Sequence, residues 1–152
     1  MAELPNEYFI STDRSLLDFP VILKFIAEES YWGQGRTAAA MQKALDNSTL
    51  CFGLYQKTPD GFAQAGFARV ISDLAFFAYL SDVFVLREHR GQGLGKLLIN
   101  TICEHPELRD LKRITLFTRT PEFYEPLSFT IYDQADIRKF MARARVPAVP
   151  AT

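Results

Sequence analysis

The stretch from Phe76 to Thr118 constrains the fold more than any other part of the chain. A strand-like run, Phe76 to Leu86, passes directly into Arg90-Gly91-Gln92-Gly93-Leu94-Gly95-Lys96. A helix is expected from about Gly91 to Glu104, with Leu97, Leu98, Thr101 and Ile102 as its buried stripe, and Arg113 to Thr118 reads as the next strand. A strand, a crossover helix and a second strand place the two strands parallel. Upstream, Thr49 to Gln56 and Gln64 to Ser72 are rich in β-formers and flank the turn signal Thr58-Pro59-Asp60-Gly61. Three consecutive strands of this kind form an antiparallel meander. The expected fold is therefore α/β (α+β): a central mixed, mostly antiparallel sheet with one parallel strand pair, flanked by helices.

The remaining elements follow from local signals. Glu7 to Ser11 can form a first strand. Asp18 is a good N-cap, Pro20 is tolerated in a first turn, and Val21, Ile22, Phe25 and Ile26 give one apolar helix face. Tyr31-Trp32-Gly33-Gln34-Gly35 breaks that helix, and Thr37 caps a second one running to about Asp46. After the parallel seam, Pro121 to Glu125 reads as a helical turn, Phe129 to Tyr132 as a strand, and Ile137 to Arg145 as a basic, helix-like tail. The order is β-α-α-β-β-β-α-β-α-β. Without a repeat, low-complexity tract or linker, residues 1–152 read as a single domain.

Charge and composition narrow the function classes. A net charge of -1 argues against broad neutralisation of nucleic-acid phosphates. No apolar run approaches the ~20 residues that span a bilayer, and the acidic start Met1-Ala2-Glu3 does not resemble a secretion signal. Cys51 and Cys103 stand far apart, and with His89 and His105 they lack zinc-finger spacing, so no metal is expected and both thiols read as buried in a reducing cytosol. The expected setting is cytoplasmic, with no nucleic-acid or membrane partner; a homodimer stays open.

The glycine-rich turn carries the chemistry. The first turn of a helix has backbone N–H groups without intrahelical partners, and the helix dipole adds partial positive charge there. Glycines let a ligand approach that backbone, and Arg90 and Lys96 add full charges, so a phosphate or pyrophosphate site is expected. A P-loop would need GxxxxGK[ST], but three residues separate Gly91 from Gly95 and Leu97 occupies the hydroxyl position. In a dinucleotide fingerprint, GxGxxG, the third glycine would come one position later.

The segment Tyr79-Leu80-Ser81-Asp82-Val83-Phe84-Val85-Leu86-Arg87-Glu88-His89-Arg90-Gly91-Gln92-Gly93-Leu94-Gly95-Lys96-Leu97-Leu98 resembles the central motif of the GNAT acetyltransferases. Their Q/R-x-x-G-x-G/A pattern is met by Arg90, Gly93 and Gly95, and the resemblance extends over residues 7 to about 132. It implies transfer of an acetyl group from acetyl-CoA directly to a primary amine, on a small molecule or an amino-acid-like acceptor. Protein lysine or N-terminal acetylation and a non-catalytic acyl-CoA-binding module are the alternatives. It also implies a bulged strand whose backbone at Val83, Phe84 and Val85 pairs with the pantetheine arm, and a splayed seam beside it. The pyrophosphate would lie on Arg90, Gly91, Gln92, Gly93, Leu94, Gly95 and Lys96.

The resemblance further implies a proton donor for the departing thiolate. Tyr124-Glu125-Pro126-Leu127-Ser128-Phe129 is similar to the family's Y-x-x-x-G-F segment, which makes Tyr124 that donor. Ser128 stands in place of the glycine, and the preceding loop is one residue more compact than in many relatives. A residue following an αL-prone glycine pattern is strained if its φ is positive. Asp82 is the conspicuous carboxylate of an apolar strand, with three readings: a general base, an amine anchor, or a structural partner of a nearby cation such as Arg69. Tyr31 and Trp32 fall in the region that covers the acceptor in such enzymes, as walls of an amine pocket or as an anchor for the interhelical turn. Asp73, His89 and His105 read as ordinary turn or surface residues.

Overall fold

The computed structural model describes residues 3–132, 139 and 141–143. The chain divides into two compact units, residues 1–119 and 120–152.

The first unit is built on a five-stranded sheet in which spatial order follows chain order: β1 (Tyr8–Ser11), β2 (Leu50–Thr58), β3 (Gly61–Ser72), β4 (Ala78–Val85) and β5 (Ile114–Thr115). The first four strands are antiparallel, and β4 and β5 are parallel, as the expected crossover requires. The parallel seam is short. Its described ladder pairs Ala78 with Ile114 and Tyr79 with Thr115, so β5 spans two residues where Arg113 to Thr118 was expected.

Helices cover both faces. On one, α1 (Phe19–Lys24) and α2 (Ala38–Asp46) bury Ile22, Met41 and Leu45 against Cys51, Phe67 and Phe84. The side chains of Asp18 and Thr37 accept the backbone N–H groups of Val21 and Ala40, as their N-cap roles require. On the other, α3 (Leu94–Cys103) buries Leu94, Leu98, Ile99 and Ile102 at helical spacing, and Leu94 packs with Tyr8, Leu54 and Ala65. Burying an aliphatic side chain of this size is worth about 1.5–3 kcal/mol, so these two clusters hold the helices to the sheet.

The first helix does not run on smoothly. After α1 the backbone widens into a π turn, Phe25–Glu29, closed by the Ser30 N–H on the Phe25 carbonyl at 2.9 Å. The Ser30 hydroxyl donates to the Ile26 carbonyl at 2.6 Å and accepts the Gly33 N–H at 3.0 Å. Local periodicity has no signal for this extra residue. Such bulges aim the chain at functional sites more often than elsewhere in helices, and this one delivers Tyr31 and Trp32.

In the second unit, α4 (Pro121–Tyr124) leads into a 3-10 turn at Glu125–Leu127. The strand expected at Phe129 to Tyr132 does not form: those residues carry no strand, and the described residues give them no neighbouring strand with which to share backbone hydrogen bonds. The helix-like tail expected at Ile137 to Arg145 lies largely outside the described residues.

Candidate active site

The site is built around β4. Its register against β3 runs Phe67↔Phe84 and then Arg69↔Ser81, so Ala68 alone faces both Asp82 and Val83. That two-against-one count is a β-bulge, and Asp82 takes the left-handed conformation within it at φ 55°. The bulge thus lies at Asp82 and Val83, overlapping the start of the expected Val83–Phe84–Val85 stretch. Past Tyr79 the described ladder with β5 stops, which leaves the β5-facing edge of β4 without a strand partner along the bulge. Phe84 itself turns into the core, stacked on Phe25 at 4.1 Å, so any ligand contact there belongs to its backbone.

The glycine turn continues from β4. Gly91 and Gly93 have φ of 84° and 80°, conformations that side-chain-bearing residues rarely take, and a Cβ built on either would meet nothing within 4 Å. Gly93 is the N-cap of α3 and offers no side-chain cap. The helix therefore starts at Leu94, later than the expected Gly91, because two left-handed glycines cannot be part of it. Its first turn carries N–H groups without intrahelical partners, as any helix start does. Lys96 is exposed on that first turn. Arg90 folds back, its Nε donating to the Val85 carbonyl at 2.8 Å and its guanidinium 6.0 Å from the Phe25 ring centre. One backbone acceptor of the expected pantetheine stretch is thus already satisfied.

His89 is not the ordinary surface histidine expected. Its Nδ1 lies 2.8 Å from the Tyr8 hydroxyl, and Gln92 Nε2 donates to the same hydroxyl at 3.2 Å and to the His89 carbonyl at 3.2 Å. Tyr8 is buried on β1, 84 positions before Gln92, so this network ties the turn to the far edge of the sheet. Asp73 does what a turn residue should: its carboxylate accepts the N–H groups of Ala75, Phe76 and Phe77, and the Phe76 bond leads in holding its pKa down.

On the opposite side of the bulge stands a charged cluster. The Asp82 side chain is wholly buried and accepts from three donors: Arg69 Nε at 2.6 Å and Arg36 Nη1 at 2.8 Å, both on Oδ2, and Trp32 Nε1 at 2.9 Å on Oδ1. Asp82 is thus a structural partner of Arg69, and of Arg36 and Trp32 as well, with Oδ1 accepting from the indole alone. Arg36 carries no sequence signal of its own; only folding brings it to Asp82, 46 positions away. Tyr31 and Trp32 are 47% and 38% exposed, with their rings edge-on at 5.1 Å. Trp32 is therefore both anchored through its indole N–H and presented outward. The Arg119 guanidinium carbon lies over Tyr31, 4.1 Å from the ring centre, while its backbone N–H donates to the Tyr31 hydroxyl at 3.2 Å.

In the second unit, Tyr124 ends α4 with its ring edge-on to Phe123 at 4.9 Å and Phe129 at 5.5 Å. Ser128 has φ 66°, the left-handed conformation in which the family glycine would be unstrained. Cys51 is buried and Cys103 half-buried, and burial raises both thiols above their usual range. No group of three metal-ligating side chains occurs among the described residues, and no helix among them is long and apolar enough to cross a membrane.

Known proteins share this arrangement. A protein named as an acetyltransferase in Gibberella zeae is 32% identical over 129 residues, covering 74% of this chain and 72% of the relative. An uncharacterised N-acetyltransferase, ycf52, of Gracilaria tenuistipitata is 36% identical over 88 residues, and the chain spans only 48% of its length. The crystal structure of a protein assigned to the GNAT family from Xanthomonas campestris superposes with a TM-score of 0.77 at 40% identity, covering 91% of this chain and 96% of that one. The model of the acetyltransferase (GNAT) family matches residues 46–129, from the end of α2 through the bulged strand, the glycine turn and the Tyr124 segment. On that match, and on the likeness to these relatives in sequence and fold, the chain belongs to the GNAT family of acetyltransferases.

Proposed function

We propose that this chain is an acetyl-CoA-dependent N-acetyltransferase that acts on the primary amine of a small-molecule or amino-acid-like acceptor. The observation that carries the reading is the continuity of an unpartnered, bulged strand edge with an uncapped helix start at Gly91 and Gly93. A pyrophosphate fits that turn, because a Cβ at Gly91 or Gly93 would meet nothing within 4 Å and a helix start carries N–H groups without intrahelical partners. Acetyl-CoA, when bound, supplies the acetyl group as a thioester. The chain supplies the rest. Backbone N–H groups of Gly91 to Lys96 and the Lys96 charge hold the pyrophosphate; Arg90 braces the end of β4 through the Val85 carbonyl. The bulged backbone at Val83, Phe84 and Val85 orients the pantetheine arm, and an N–H on this stretch is suited to stabilise charge on the thioester oxygen. Tyr31 and Trp32 wall the acceptor, and Tyr124 holds a proton for the thiolate, a role open to a phenol. Asp82 organises this wall.

Two measurements test the reading. Acetyl-CoA is expected to raise the melting temperature of the wild type and not of Gly93→Asp, which places a carboxylate in the cradle. Thiol release from acetyl-CoA with a panel of amines is expected for the wild type and to fall about a hundredfold or more in Tyr124→Phe, the lower range for losing one general acid. Equal cofactor stabilisation of both proteins would refute the cradle, and undiminished turnover by Tyr124→Phe would refute the acid. A second reading, protein acetylation, draws on a histone acetyltransferase, TAP1, of Glycine max that is 46% identical over 66 residues. That match covers 29% of the relative and 42% of this chain, so a lysine peptide belongs in the panel.

A further inference from the structure

The acceptor wall carries more positive charge than it neutralises. Three guanidinium groups, those of Arg36, Arg69 and Arg119, adjoin the Asp82–Trp32–Tyr31 chain of contacts. The described ion pairs of Arg36 and Arg69 both end on the one Asp82 carboxylate. Arg119 pairs with no carboxylate among the described residues. Three positive charges against one negative leave a surplus of two. Arg69 is nearly enclosed, at 11% exposure of its side chain, and is committed to Asp82, Ser48 and Ser81. Arg36 is 30% exposed and hydrogen-bonds through Nη1 alone, to Asp82 and Met41. Arg119 is exposed, its guanidinium carbon lies over the Tyr31 ring, and the described residues give its guanidinium N–H groups no hydrogen-bond acceptor. A guanidinium held in this way is prepared for bidentate capture of a planar anion.

Resting on the acetyltransferase reading above, we infer that the acceptor is an amine that also bears an anionic group, and that Arg119 is the specificity-determining residue that receives it. A simple alkylammonium would approach a wall of its own sign, whereas an amino acid or an amino phosphate compensates the surplus and gains charge-assisted hydrogen bonds. The aromatic faces of Tyr31 and Trp32 then flank the carbon skeleton between the two groups.

The test compares kcat/KM for ω-amino acids against alkylamines of equal length, and for phosphoethanolamine against ethanolamine, in the wild type, Arg119→Ala and Arg119→Lys. The wild type is expected to prefer the anionic member of at least one pair by roughly ten- to hundredfold, the range for one hydrogen-bonded charge. Which pair shows the larger preference distinguishes carboxylate from phosphate. In Arg119→Ala that ratio collapses toward one through KM for the acceptor, while KM for acetyl-CoA is unmoved; Arg119→Lys restores part of it, because charge returns without the planar fork. Equal use of charged and uncharged amines by the wild type overturns the inference and leaves the acetyltransferase reading standing. Preference for a lysine peptide over every small amine overturns it too. If acetyl-CoA binds and no amine is acetylated, the enzymatic reading fails by itself; calorimetry then decides the anion site. Amino-acid or amino-phosphate binding to the wild type and not to Arg119→Ala upholds it, and absence of binding overturns it.

Discussion

The two sides of the β4 bulge handle their polar groups in opposite ways. At the glycine turn, Gly91 and Gly93 take left-handed backbone without a side chain, and α3 starts without a side-chain cap. At the acceptor wall, the left-handed position is filled by Asp82, whose carboxylate is buried and consumed by three donors. The turn keeps its hydrogen-bonding capacity for a ligand, and the wall spends Asp82 on its own construction. This difference teaches where specificity can reside. The proposed cofactor side is chiefly a backbone device, with the Lys96 charge beside it. The acceptor side is a side-chain device, in which the groups not committed to Asp82 remain to meet a substrate.

The largest expected effect comes from breaking the wall. Asp82→Asn keeps a residue that tolerates φ 55° but leaves Arg36 and Arg69 facing a neutral amide. Removing one partner of a buried ionic cluster costs about 3–5 kcal/mol, and the partial exposure of Arg36 places this case at the lower end. Urea unfolding of the variant should show that loss. The comparison adds a sharper demand: in protein that remains folded, KM for the acceptor should rise well above the wild-type value, while acetyl-CoA affinity changes little. If cofactor affinity falls as steeply, the two sides are one cooperative unit, and the division drawn at the bulge is wrong.

How far the sequence could be read follows the same division. The glycine turn and the crossover around it are legible because their determinants are contiguous, from Val85 to Leu98, and glycine spacing acts directly on φ. The meander is legible for the same reason, through alternation and the Pro59-Asp60-Gly61 turn. The Asp82 cluster is not, because its members stand at positions 32, 36, 69 and 82 and meet only after the helices dock on the sheet. Asp82 is conspicuous in the sequence as a carboxylate on an apolar strand, and Arg69 is a foreseeable partner. Arg36, the indole hydrogen bond and the π turn that sets Trp32 in place have no local signature. The missed strand at Phe129 to Tyr132 is a related failure: β-propensity there is real, but a strand exists only with a neighbour.

Tyr8 tests the turn from behind. Its hydroxyl joins His89 Nδ1 and Gln92 Nε2, yet it touches neither glycine. If the turn works by backbone shape, Tyr8→Phe loosens that shape without removing any ligand-facing group. One or two neutral hydrogen bonds of this kind contribute about 0.5–1.5 kcal/mol each. The expected result is therefore a rise in KM for acetyl-CoA of a few fold to about tenfold at unchanged kcat, read by steady-state kinetics. A fall in kcat with KM unchanged would mean that the network serves the reacting centre and not the cradle. The acceptor preference should be untouched by this variant, which separates it from Asp82→Asn.

The smallest effect concerns the remaining left-handed residue of the Tyr124 segment. At the turn, left-handed backbone is carried by glycine at no steric cost; at Ser128, φ 66° is carried by a residue with a Cβ, and no buried ionic cluster repays it as at Asp82. An L-residue in this conformation costs about 1–2 kcal/mol, and glycine returns about 0.4–1 kcal/mol of that through the greater freedom of its unfolded chain. Ser128→Gly is thus expected to gain about 0.5 kcal/mol, visible as a small increase in resistance to proteolysis around Tyr124 and Phe129. Activity discriminates what stability alone leaves ambiguous. Tyr124 is bonded through its carbonyl to the Phe129 N–H at 3.3 Å, across the turn that Ser128 closes. If the serine only replaces glycine at a strained corner, kcat is unchanged when strain is relieved. If kcat shifts, the strain is setting the aim of the Tyr124 hydroxyl, and Ser128 belongs with Asp82 as a position where a left-handed side-chain-bearing residue is kept for function.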